Sequence, residues 1–139
     1  MAGWSIPPSA FADQVDVEVS RRVRTIALAL LKEVIERSPV GNPDLWKDPP
    51  PPGYVGGRFR GSHIVSILAP VYTVTTDIDP SGSETLQKGM AVLTGLEPYT
   101  QVFIQTNLPY AERLEQGHSK QAPEGLYELA FISVSEAFR

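Results

Sequence analysis

A chain of 139 residues with 42% apolar residues has the size of one globular domain with a modest core, and no shift in composition divides it. Its 12 basic and 16 acidic residues leave a net charge of −4, which excludes a general positive field for nucleic acid or anionic membranes. With no cysteine there is no disulfide framework and no thiolate zinc site, and two histidines alone cannot close a tetrahedral one, so neither metal nor cofactor is expected.

Residues 1–10 read as a lead-in. They lack the basic start and apolar run of a secretory signal, and the longest apolar stretch, residues 26–31, is too short to span a bilayer, so a soluble protein is expected. Ser9 is a candidate N-cap for a long helix that runs without glycine or proline to Arg37. Val15, Val19, Val23, Ile26, Leu30 and Val34 recur at steps of three and four, widened by Ala27, Leu31 and Ile35. Between Ile26 and Leu31 the helix is apolar nearly all round, so one flank calls for a second partner, a sheet or another subunit. Ser38-Pro39 ends it, because a residue before proline avoids the helical region.

Residues 41–57 form a proline- and glycine-rich loop or arm anchored by Trp46 and Tyr54, with Pro49, Pro50, Pro51 and Pro52 favouring polyproline II. Gly56-Gly57-Arg58-Phe59-Arg60-Gly61-Ser62 has neither the spacing of a dinucleotide fingerprint nor the lysine of a phosphate loop, and reads as the charged start of a strand. Residues 63–68 and 71–76 read as β segments separated by the bend Ala69-Pro70. Asp77-Ile78-Asp79 opens like a calcium loop, but Lys88 stands where the bidentate glutamate belongs. The spacing of Ser81 and Glu84 instead predicts a capping box for a helix over 82–93, weakened at Gly89 and stopped at Gly95. Residues 99–106 predict a third strand, with Val102 and Ile104 on one face and Phe103 on the other.

The last third is a punctuated joint. Pro109 suits the start of a short helix, Gly117 a left-handed stop, and Pro123 and Glu124 the first turn of a helix to Arg139, although Ile132-Ser133-Val134-Ser135 also reads as a strand. Glu112 and Glu115 read as a solvated or ion-paired face beside Arg113 and Lys120, and His118-Ser119 adjacency is not a catalytic arrangement. No enzyme signature emerges. The pattern predicts an α+β fold: a long N-terminal helix and a C-terminal helix packed on a small antiparallel sheet, with a proline-rich loop insert.

Asn107-Leu108-Pro109-Tyr110-Ala111, then Leu114-Glu115, Gly117 and Ser119-Lys120-Gln121-Ala122-Pro123 before a final helix, resembles the C-terminal signature of the neck and tail-completion proteins of long-tailed bacteriophages. Ser38-Pro39-Val40 and Gly57-Arg58-Phe59-Arg60-Gly61-Ser62 extend the resemblance in weaker form, and the insert at residues 41–57 departs from the family. The resemblance implies a non-catalytic virion protein of the neck, present in the host cytoplasm during assembly. It implies a homo-oligomeric ring, a hexamer or dodecamer, set between head-closure or connector proteins and tail-terminator or tail-tube proteins. DNA would pass through the lumen without specific binding, which a net charge of −4 suits. The expected interface residues are Trp46, Pro49 to Pro52, Tyr54, Arg58 and Arg60, together with Tyr110, Leu114, Gly117, Ser119 and Gln121, the last group either bracing the fold or facing a neighbour. A tail-terminator ring and a small cellular protein-interaction module displaying its proline run are the alternative readings.

Overall fold

The computed structural model describes residues 7–40, 56–109, 111–116 and 125–139. The fold is α+β. In chain order it comprises α1 (Pro8–Arg37), a 3-10 turn (Arg60–Ser62), β1 (Ile64–Ile67), α2 (Ser83–Thr94), β2 (Val102–Gln105), α3 (Ala111–Glu115) and α4 (Tyr127–Ala137). β1 and β2 pair antiparallel, with Ile64 opposite Gln105 and Ile67 opposite Val102.

The long helix α1 organises the core. Ala27, Leu31 and Ile35 pack with Val65 of β1 and Leu93 of α2, while Val34 joins Phe59, Leu108, Leu126 and Ala130 in a second cluster under α4. Two neighbours therefore claim adjacent faces of one helix, one at Ala27, Leu31 and Ile35 and the other at Val34. Gly89 permits the approach of α2: a Cβ there would lie 2.2 Å from Leu31 Cδ2 and 3.1 Å from Val65 Cγ2. The sequence marks this glycine as a weakness in the helix; in three dimensions it is where the helix touches the core.

The helix starts differ from expectation. Pro7, not Ser9, is the N-cap of α1, and Pro8 takes the first position, where its missing N–H costs nothing. No Ser81–Glu84 box forms at the start of α2, where the Ser81 hydroxyl instead accepts from the Ser83 N–H at 3.3 Å. Asp79 Oδ1 accepts from the Gly82 N–H at 3.0 Å, and Oδ2 from the Thr85 N–H and the Thr85 hydroxyl, both at 2.8 Å. Burial raises the Asp79 pKa, but these donors outweigh it and hold the carboxyl below its ordinary value. At the start of α4, Glu115 does the same from 11 to 13 residues away. Its Oε2 accepts from Leu126 and Tyr127 N–H at 3.0 and 2.8 Å and its Oε1 from Glu128 N–H at 2.9 Å. Glu115 is thus the cap of α4, not part of a solvated carboxylate face. α4 itself begins at Tyr127, and Pro123 and Glu124 lie outside the described residues.

Residues 71–76 are not a strand, so the sheet has two strands among the described residues. Side-chain amides occupy the groups that a ladder would use. Gln105 Oε1 accepts from the Val71 N–H at 3.0 Å and its Nε2 donates to the Val71 carbonyl, while Asn107 Nδ2 donates to Val71 and Thr73 carbonyls at 2.8 and 2.9 Å.

Candidate interaction surface

The predicted stripe on α1 is only partly core. Of Val15, Val19, Val23, Ile26, Leu30 and Val34, Val34 alone is buried; the others are half-exposed or exposed. The packing face is rotated toward Ala27, Leu31 and Ile35 because α2 and the sheet sit on that side. No residue of α1 before Ser20 is buried, a stretch of twelve residues from Pro8 to Val19 that spans ~18 Å at 1.5 Å per residue. Farther along, Val23, Ile26, Ala27 and Leu30 join Val102 and Ile104 in an open apolar groove of about 220 Å³ between α1 and β2. A neighbouring opening between α1 and α2 is lined by Arg21, Arg24, Leu28, Met90 and Leu93.

One end of the sheet adds to this surface. Leu68 and Tyr99 both adopt left-handed backbone, φ 76° and 60°, and both are 74% exposed. A left-handed leucine is sterically unfavourable and rare, and here it follows β1 directly, its N–H donating to the Gln101 carbonyl at 3.0 Å. Asp16 of α1, beside the Tyr99 hydroxyl, raises the pKa of the phenol. Phe131 and Ile132 expose a further apolar strip on α4.

The polar residues of the interior build a joint instead. Ser38 closes α1, with its hydroxyl donating to the Val34 carbonyl at 2.6 Å. That spends its proton, so at 2.6 Å it accepts from His63 Nε2–H, which leaves His63 Nδ1 to accept from the Tyr127 hydroxyl at 2.7 Å. Ser38 is 1% exposed, and burial pushes the His63 pKa down to about 4 and raises that of Tyr127. The serine–histidine contact therefore ties α1 to β1 and α4 in the interior. It presents no nucleophile to solvent. Among the described residues no group of three acidic or histidine side chains converges to hold a metal ion.

Arg60 belongs to the same joint. Its Nε and Nη2 donate to the Ser38 carbonyl at 3.2 and 2.8 Å, and its Nη1 to the Pro80 carbonyl at 2.8 Å, so a cation meets the negative end of α1 and anchors the turn before α2. Gly57 is required beside it. Its φ is +109°, and a Cβ would stand 2.5 Å from the Pro80 nitrogen. Its N–H reaches the Val40 carbonyl at 2.7 Å, while its own carbonyl accepts from Gly61 and Asp79 N–H. Arg58, by contrast, is exposed. Of the other expected interface residues, Trp46, Pro49, Pro50, Pro51, Pro52, Tyr54, Tyr110, Gly117, Ser119 and Gln121 lie outside the described residues, as does the side chain of Leu114.

No protein-family profile, curated protein or solved structure matches the chain. The α1–β2 groove and the strand edge beside it were not legible as a site in the sequence. The available signal was a helix with more apolar arc than one packing face uses.

Proposed function

We propose that the protein is a structural subunit of the neck of a long-tailed bacteriophage, joining the head-closure ring to the tail tube as part of a homo-oligomeric ring. One observation carries this reading: a division of labour between two sets of residues. Among the described residues of the resemblance, Ser38, Gly57, Arg60, Asn107, Leu108 and Glu115 hold helices, turns and strands together, while Arg58 is exposed. Apolar surface on α1, β2 and α4 is left for a neighbour. A ring subunit needs this arrangement, a rigid body with unlike patches that meet head to tail and close by rotation. Its function is mechanical. It has to hold its shape while it contacts two rings, and let DNA slide through without binding it, which an acidic balance of −4 favours.

The test is complementation in the phage that encodes the protein. Without the protein, DNA-filled heads and finished tails should accumulate separately, and adding the purified chain should join them, as counted by electron microscopy. A normal yield of joined particles without the protein overturns the reading.

A further inference from the structure

Two parts of the surface are unsatisfied in matching ways. The first is the outer edge of β2. The bond from Leu68 N–H to Gln101 C=O fixes the alternation of the ladder, so that Ser66 exchanges bonds with Phe103, and Ile64 with Gln105. The N–H and C=O of Val102 and Ile104 therefore point away from β1, and among the described residues they have no partner. The side chains of these two residues line the α1–β2 groove.

The second is the segment 71–76, Val-Tyr-Thr-Val-Thr-Thr, which has the composition of a strand and pairs with no strand among the described residues. Gln105 and Asn107 hold it by Val71 and Thr73. Alternation along an extended chain turns the N–H and C=O of Tyr72 and Val74 the other way, where no described residue meets them. Tyr72 is 82% exposed and Val74 45%.

We propose that segment 71–76 of one copy adds as a strand to the β2 edge of a second copy, with Tyr72 and Val74 filling the α1–β2 groove. In a hydrogen-bonded pair the directly opposed residues share a face. Tyr72 and Val74, set against Ile104 and Val102, must then project to the helix side, where Val23, Ile26 and Leu30 wait. Neither the segment nor the groove lining carries a charge, so docking strands no ion. Within one copy the two cannot meet, because the segment is fastened to Gln105 and Asn107 by its other side. The contact joins unlike surfaces, so it is head to tail and it propagates until a ring closes. It rests on the reading of the protein as a ring subunit and specifies how neighbours join.

The experiment uses the full chain, with native mass spectrometry over a concentration series. Tyr72→Asp/Val74→Asp removes the inserting strand and keeps the groove; Ile26→Asp spoils the groove and keeps the strand. Wild type should assemble, each variant alone should be monomeric, and a mixture of the two should give a 1:1 heterodimer and nothing larger, since only one competent contact remains. Circular dichroism verifies folding, and Val23→Asp replaces Ile26→Asp if that variant unfolds. Variants that assemble as wild type does, or a mixture of folded variants that stays monomeric, overturn strand addition and leave the ring reading standing. A wild type that stays monomeric throughout overturns both.

Discussion

Lowering the pH from 6.5 toward 4 should destabilise the protein through His63. The ring is buried and neutral, donating from Nε2 to Ser38 and accepting at Nδ1 from Tyr127. A second proton on Nδ1 would meet a hydroxyl whose own hydrogen already points at it. Burial lowers the pKa from 6.5 to about 4, whereas the unfolded chain protonates near 6.5. Between these values the unfolded state binds more protons, so stability falls as pH falls from 6.5 toward 4 and is fully present above 6.5. The difference of two to three pH units corresponds to ~3 kcal/mol at about 1.4 kcal/mol per unit. Against a typical total of roughly 5–15 kcal/mol for a domain, that is a large loss.

Urea unfolding at pH 7.5 and pH 4.5 measures it, with His63→Gln as the non-titrating reference. Asp79 and Glu115, whose carboxyls are held below their ordinary values, lose their contribution at still lower pH and do so in both proteins. Wild type should lose ~2–3 kcal/mol more than the variant over this interval. Parallel losses in the two proteins would refute the argument, as would a His63 Cε1–H resonance that titrates near 6.5, with His118→Gln used to assign the two histidines.

Two substitutions test the packing and the cap of α2. Gly89→Ala raises intrinsic helix propensity by about 1 kcal/mol, yet its methyl would meet Leu31 Cδ2 at 2.2 Å in a core where Leu31 is 0% exposed. Overpacking of ~1–3 kcal/mol should win, and the melting temperature should drop; a rise would show that α2 can move off α1. Asp79→Ala removes three hydrogen bonds at the start of α2 and should cost ~2 kcal/mol in urea unfolding, whereas Glu84→Ala, at the supposed capping box, should cost under about 0.5 kcal/mol. Equal effects of the two would restore the Ser81–Glu84 cap.

The elements with local signals were readable. Pro39 and the glycine-free run fixed α1, and the alternation of Val102, Phe103 and Ile104 fixed β2. What failed depended on partners remote in sequence. Residues 71–76 have strand composition, but composition cannot show that Gln105 and Asn107, more than thirty residues on, take the backbone bonds. The Glu115 cap reaches a helix start 11 to 13 residues away, and Asp79 caps α2 from three and six residues away, where the Ser81 hydroxyl accepts from Ser83 N–H instead of forming the box its spacing with Glu84 predicts. The arc on α1 was legible as too wide for one face, and the structure assigns its inner part to α2, β1 and α4 and its remainder to the groove.

That assignment separates two kinds of damage. Arg60, Asn107 and Glu115 each bridge segments far apart in sequence, so their loss frees a helix end or a loop and should lower stability before it touches assembly. Val23, Ile26, Tyr72 and Val74 are half-exposed or exposed, so a charge placed there meets water in the isolated chain and would meet a neighbour only in the proposed ring. Under the proposed assembly, folding and joining fall to nearly disjoint residues. Surface variants of this second group should keep the melting temperature and lose the proposed assembly, an outcome that would distinguish a ring subunit from a domain whose apolar surface is merely leftover core.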